Sequence, residues 1–261
     1  MVGSVSWNGH GVFTPLATWA QKWLHKLGFV KKEEPTIMVS NKHYILEPGH
    51  GGTIDGKYTT PTFLWKRSYF DGEGNLLPPS KGIEWLEKNC VHKIYEGVIN
   101  RKYTRKLSKM LDVAGIPHTI IPDSAEDWTL GKRVNVANTI ARSCAKPTVL
   151  LDLHSNAGGG TGNEVFTSPG ETESDRYADI IAEEFINEFP EFRFRKDTAS
   201  DGDYDKEARF AMLVGTIMPA ITVEAFFYDN WEDAQLLMSE EGTDRIAQAL
   251  FKAIIRIDNE P

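Results

Sequence analysis

Short apolar runs alternate with longer stretches of helical spacing along most of this chain. Tyr44–Glu47 is the first run and predicts a buried strand. Over Ile94–Ala114 the apolar positions Ile94, Val98, Tyr103, Leu107, Met110 and Leu111 fall on one broad helical face, and Gly115 follows as a C-terminal stop. His118–Ile121 is a short strand after Pro117, and Leu130–Ala145 a second helix ended by Lys146-Pro147. Thr148–Leu153 is the clearest strand, its one polar interruption being Asp152. Asn163–Thr167 is another strand, followed by an amphipathic helix over Glu173–Phe189 that Pro190 stops. Pro219–Glu224 is strand-like, and helices follow near Trp231–Met238 and Gly242–Ile257. Strands alternating with helices in this way predict an α/β fold: a twisted mixed, mostly parallel sheet with helices on both faces.

Two stretches fall outside that rhythm. Thr53–Val91 is long, weakly periodic and rich in Gly, Pro and aromatics, and it separates the first strand from the first helix, where a few residues would suffice. Its Trp65, Tyr69, Phe70 and Trp85 favour an ordered flap over a solvated string. Residues 1–37 form the other stretch. Thr14-Pro15 begins a helix there, Leu16, Trp19, Trp23 and Leu27 share one face, and Lys31–Pro35 reads as a linker. This divides the chain into an N-terminal helical segment, 1–37, and a main domain, 38–261, with 53–91 as an insertion. The apolar stripe either packs on its own domain or docks a protein partner.

Composition narrows the function classes. Hydrophobic residues at 41% and charged residues at 25% are ordinary for a globular protein. A formal net charge of −8 argues against nucleic acid as a partner. No apolar run approaches the ~20 residues that cross a bilayer, and the N-terminus has no basic region followed by an apolar core, so no signal peptide is visible. Cys90 and Cys144 form no CxxC pair and read as small semi-buried residues.

The chemistry gathers at strand ends. The first strand leads into Pro48, Gly49, His50, Gly51 and Gly52; the strand Val149–Leu153 leads into His154, Ser155, Asn156 and a run of glycines. In open α/β sheets ligands bind beyond the carboxyl ends of the strands, so two histidines at two such ends can converge on one point. A pair of imidazoles suggests a metal, and zinc commonly takes two His and one carboxylate while keeping a position for water. Glu84, Glu87 and Glu96 are candidates for the third ligand, Glu96 being carried near the start of a well-defined helix. Glu224 sits among Ile221, Val223, Ala225 and Phe226. A carboxylate so enclosed is either a general base or half of a buried ion pair with an arginine such as Arg133 or Arg209.

Six ordered blocks, "ILEPGHGG", "YEGVINRKYTRKLSKMLDVAG", "LGKRVNVANTIA", "LLDLHSNAGG", "NEVF" and "MPAITVEAFFYDN", resemble the zinc-dependent N-acetylmuramoyl-L-alanine amidases of the Amidase_3 type, over residues 44–256. The resemblance implies a Zn2+ ion on His50, Glu96 and His154, with Glu224 as the catalytic glutamate. Asn100, four residues after Glu96, matches the family's helix. Glu47 stands where aspartate is usual, Leu153 where isoleucine is common, and the stretch after Glu224 is unusually aromatic. None of these departures removes a ligand. The implied reaction is zinc-assisted hydrolysis of the amide between N-acetylmuramic acid and the L-alanine of the peptidoglycan stem. The rival readings are a zinc peptidase acting within the stem and a non-catalytic peptidoglycan-binding or phage structural module. The implied setting is the cell wall, reached as a phage lysin, as a virion or injection-system component, or after removal of a signal.

Overall fold

In a computed structural model the chain is described over residues 40–51, 53–54, 57–58, 62–66, 90–198 and 202–260. The stretch expected to form a helix through Leu16, Trp19, Trp23 and Leu27 lies outside the described residues, and so do Glu84 and Glu87.

A six-stranded sheet organises the domain. Its central strands are β1 (His43–Pro48), β7 (Thr148–Asn156) and β10 (Ala220–Phe227), and all three run parallel. The short strand β6 (His118–Ile120) continues the parallel set beyond β1. On the other side β8 (Asn163–Thr167) runs antiparallel to β10, and the two-residue β9 (Lys206–Glu207) pairs with β8, giving the order β6-β1-β7-β10-β8-β9. The sheet is therefore mixed and mostly parallel, as the alternating pattern predicts.

Side-chain alternation gives the sheet two different faces. Tyr44 and Leu46, Val149, Leu151 and Leu153, and Ile221 and Val223 enter the larger core. There they meet α1 (Glu96–Ala114), α3 (Glu173–Glu188) and α6 (Glu240–Asp258) through Tyr103, Leu107, Tyr177, Phe185, Leu250 and Ile254. The opposite face begins apolar, with Ile45, Leu150 and Ala220 against Ala137 of α2 (Leu130–Ser143) and Met212 of α4 (Ala211–Gly215). One step further along the same strands this face turns polar: Glu47, Asp152 and Thr222 lie side by side in register. That switch from apolar to polar, at the carboxyl ends of parallel strands, marks where chemistry can sit. The remaining helix, α5 (Trp231–Met238), follows β10.

Several boundaries differ from the sequence-based expectation. Ile94 and Tyr95 belong to β5 (Cys90–Tyr95), which pairs antiparallel with β4 (Thr62–Lys66) and runs directly into α1. The helical spacing does extend back to Ile94, but a strand partner 31 residues earlier (Phe63 opposite Ile94) claims it. Val98 is 41% exposed, because the buried face of α1 is set by Ile99, Tyr103, Leu107, Met110 and Ala114. β7 continues through His154 to Asn156 instead of ending at Leu153, since β10 pairs with it over that length. Within 53–91 the described residues also hold β2 (Thr53–Ile54) paired with β3 (Lys57–Tyr58); Tyr69, Phe70 and Trp85 lie outside the described residues.

Candidate metal centre

The turn after β1 is built around backbone constraint. His50 has φ 56, in the left-handed region that non-glycine residues seldom occupy. Its carbonyl accepts a hydrogen bond from Arg101 Nη1 at 3.0 Å, and the same nitrogen donates to the Gly51 carbonyl at 2.7 Å. Gly51 N–H donates to Asp127 Oδ1 at 3.0 Å. Glycine is required next to His50 by close approach: a Cβ on Gly49 would overlap the His154 ring. A Cβ on Gly97, one residue into α1, would overlap the His50 and Gly51 carbonyls. The glycines therefore let helix, turn and second histidine meet without intervening side chains.

The structure brings His50, Glu96 and His154 together there. One donor atom each from His50, Glu96 and His154 lies within 4.8 Å of the others. Glu96 Oε2 is 3.5 Å from His50 Nε2, and Glu96 Oε1 is 3.0 Å from His154 Nδ1. The two imidazoles are perpendicular with ring centres 5.0 Å apart. Asn100, one turn after Glu96, donates from Nδ2 to Glu96 Oε1 at 3.2 Å and to the Gly49 carbonyl at 3.0 Å. Tyr103, on the same helix face, donates to the His154 carbonyl at 3.0 Å.

Asp152 completes the support of His154. Its Oδ1 lies 3.1 Å from His154 Nε2, and its Oδ2 accepts from Thr222 Oγ1 at 2.7 Å. A histidine whose second nitrogen is held by a carboxylate is a recurrent arrangement behind metal-binding imidazoles. A second acidic trio, Glu47 with Asp152 and His154, is also compact. Glu47, however, is paired with the buried guanidinium of Arg133, which also reaches Asp127 Oδ1 at 3.2 Å. The cation there makes that trio the poorer place for a metal.

Glu224 stands opposite His154 in the β7–β10 register. Immediately after it β10 carries a bulge: Glu224 pairs with His154 and Phe227 with Asn156, so β10 holds one more residue than β7 over the same span. Phe226 takes φ 64 within that bulge and packs edge-on against Phe189 and Phe192, with centroids 4.9 Å away in each case. Bulges beside functional sites commonly re-aim a neighbouring side chain. Glu224 Oε2 is buried without a hydrogen-bond partner, and among the described residues no ion pair joins Glu224 to Arg133 or Arg209. Burial pushes its carboxyl up to about 8, with His154 opposing and Glu96, Asp152 and Glu164 adding to the rise. A cation beside it would relieve this penalty.

The residues present fit zinc. Two imidazoles and one carboxylate are a common catalytic donor set for that ion, and they converge beside a carboxylate oxygen that lacks a partner. Burial pulls the His50 imidazole below its ordinary value, Glu96 acting against it, and a neutral imidazole is the form that ligates. His50 and His154 line a cleft of about 480 Å³ together with Asp152, Thr222, Glu224, Trp128, Leu130 and Phe210.

Of these residues, the sequence pattern singles out His50, His154 and Glu224, and the family resemblance selects Glu96 from among Glu84, Glu87 and Glu96. The pattern does not single out Asp127 or Tyr103 as part of the site, and it offers Arg133 only as a partner for Glu224, whereas Arg133 pairs with Glu47 and Asp127. The one available signal for Asp152 is its position as the polar interruption of β7, two residues before His154.

The family model for N-acetylmuramoyl-L-alanine amidase (Amidase_3) matches residues 45–256. A curated relative, the N-acetylmuramoyl-L-alanine amidase CwlM of Bacillus licheniformis, is 34% identical over 137 residues, covering 52% of this chain and 49% of its own. The chain thus spans about half the length of that relative. Among solved structures, the N-acetylmuramoyl-L-alanine amidase from Clostridium difficile 630 aligns with TM-score 0.59 at 20% identity, over 85% of this chain and 100% of that one. AmiC2 of Nostoc punctiforme aligns with TM-score 0.56 at 19% identity, over 83% and 96%. The structural likenesses establish a shared fold, and the family-model match across most of the chain establishes that it belongs to the N-acetylmuramoyl-L-alanine amidase family.

Proposed function

We propose that this domain is a zinc-dependent peptidoglycan amidase that hydrolyses the bond between the lactyl group of N-acetylmuramic acid and the L-alanine of the stem peptide. The observation that carries the reading is the convergence of His50, Glu96 and His154 beside Glu224, which lines the same cleft as the two histidines and whose Oε2 is buried without a hydrogen-bond partner. His50, Glu96 and His154 would hold the ion. When bound there, zinc supplies Lewis-acid polarisation of the scissile carbonyl and makes water more acidic.

The chain's own groups do the rest. Glu224 accepts a proton from the attacking water and returns it to the leaving nitrogen of L-alanine, so the amide becomes a lactyl carboxylate and a free amine. Its buried Oε2, which has no other hydrogen-bond partner, is available for both halves of that exchange. Asp152 fixes the His154 ring, and Asn100 fixes Glu96. Arg133 holds Glu47 and Asp127 at the cleft wall, where the Asp127 carboxylate also anchors the turn carrying His50. The substrate lies in the cell wall, so that is where the enzyme acts.

Purified protein is expected to carry about one zinc per chain, in keeping with a three-ligand catalytic site. It should clear suspensions of purified sacculi. Prolonged chelation should abolish the clearing, and stoichiometric zinc should restore it. Undiminished clearing by protein shown to be metal-free by elemental analysis would overturn the zinc-dependent mechanism.

A further inference from the structure

Away from the cleft, at the outer end of β8, three aspartates meet. Asp175 lies in the first turn of α3, Asp203 and Asp205 precede β9, and one carboxylate oxygen from each lies within 4.8 Å of the other two. Exposed acidic clusters are common, but Asp205 is not exposed: it retains 3% of its accessible surface, and its Oδ1 has no hydrogen-bond partner. Its Oδ2 lies 2.6 Å from Thr167 Oγ1, which is also 2.9 Å from Asp175 Oδ1. A hydroxyl has one hydrogen and can donate to only one of these carboxylates, so the other contact sets lone pairs against each other. Such an arrangement calls for a positive charge, either a proton or a cation.

We propose that Asp175, Asp203 and Asp205 bind a calcium ion. The donors are all carboxylate oxygens, which suit a hard cation and offer nothing to a soft one. They come from a helix start and an irregular segment, and calcium tolerates such irregular oxygen cages, whereas magnesium demands a near-ideal octahedron. The location gives the ion a structural task. Asp205 adjoins Lys206, which pairs with Phe166 across β8–β9 and neutralises Glu164. Glu164 in turn stands opposite Glu224 in the β8–β10 register. Calcium on the aspartates therefore pins β9 against α3 and keeps Lys206 on Glu164, at the edge of the sheet next to the cleft. The proposal is independent of the amidase reading.

The test is calcium titration of zinc-replete protein, followed by calorimetry and by thermal denaturation. Binding with a Kd of about 10⁻⁴ M is expected, as for modest all-oxygen sites. Calcium at tenfold excess over that Kd should raise Tm by about 3–5 °C. Asp205→Asn should lose both the heat and the shift. Asp203→Asn serves as the second variant should Asp205→Asn fail to fold, and magnesium should produce less than half the effect. Absence of heat and of any shift up to about 10 mM calcium would overturn the proposal. So would a full shift in either variant. A wild-type protein that does not respond to calcium, beside an Asp205→Asn protein that is the more stable of the two, would show that the cluster holds a proton instead.

Discussion

Glu224→Gln is expected to lower kcat about 10³-fold, equivalent to ~4 kcal/mol of transition-state stabilisation, while zinc content stays at the wild-type level. The substitution keeps the shape of a side chain whose Oε2 is buried but removes its capacity to carry a proton. Glu224 is not among the three closely spaced donors, so the ion should remain. The same variant has a readout in metal-free protein. The folded-state pKa of Glu224 is raised from 4.5 to about 8, chiefly by burial. Stability linked to this group is therefore fully present below pH 4.5 and is lost as pH rises to about 8. Gln removes the ionisation, so metal-free Glu224→Gln should be the more stable protein at pH 9 and should differ little from wild type at pH 4. A variant with near wild-type kcat, or one unable to retain zinc, would contradict the assignment of Glu224 as the base.

His154→Ala is expected to abolish both zinc retention and activity. The ring stands between Glu96 Oε1 and Asp152 Oδ1, at 3.0 and 3.1 Å, so its removal deletes one donor and leaves two buried carboxylates facing a void. Asp152→Asn provides the graded comparison. It keeps His154 but replaces the carboxylate behind the ring, a change that typically costs 10–100-fold in metal affinity or activity. Elemental analysis and competition with a zinc-binding dye measure both. Zinc bound as tightly by His154→Ala as by wild type would remove His154 from the ligand set.

His50, His154 and Glu224 were legible in the sequence because each breaks a local rule. Two are histidines at the ends of apolar strands beside glycines, and one is a carboxylate inside an apolar strand. Glu96 was harder: spacing left Glu84 and Glu87 as competitors, and only the family resemblance separated it from them. The fold class followed from periodicity, since runs as clear as Thr148–Leu153 and Leu130–Ala145 admit little else. Pairing across distance was not legible. Ile94 and Tyr95 continue a helical pattern yet are drawn into β5 by Thr62–Lys66. Arg133 was considered as a partner for Glu224, whereas the fold brings it to Glu47 and Asp127. The two-residue β9 and five-residue α4 are too short to show a period at all. The meeting of Asp175 with Asp205, 30 positions apart in the chain, likewise exists only once β8, β9 and α3 are assembled.

The most direct measurement is mass spectrometry of the products released from purified sacculi in water enriched in oxygen-18. The account predicts free stem peptides beginning at an unlabelled L-alanine amine, with one heavy oxygen entering the lactyl carboxylate left on the glycan. Peptides still attached to muramic acid, or heavy oxygen in a carboxyl group within the stem, would contradict it.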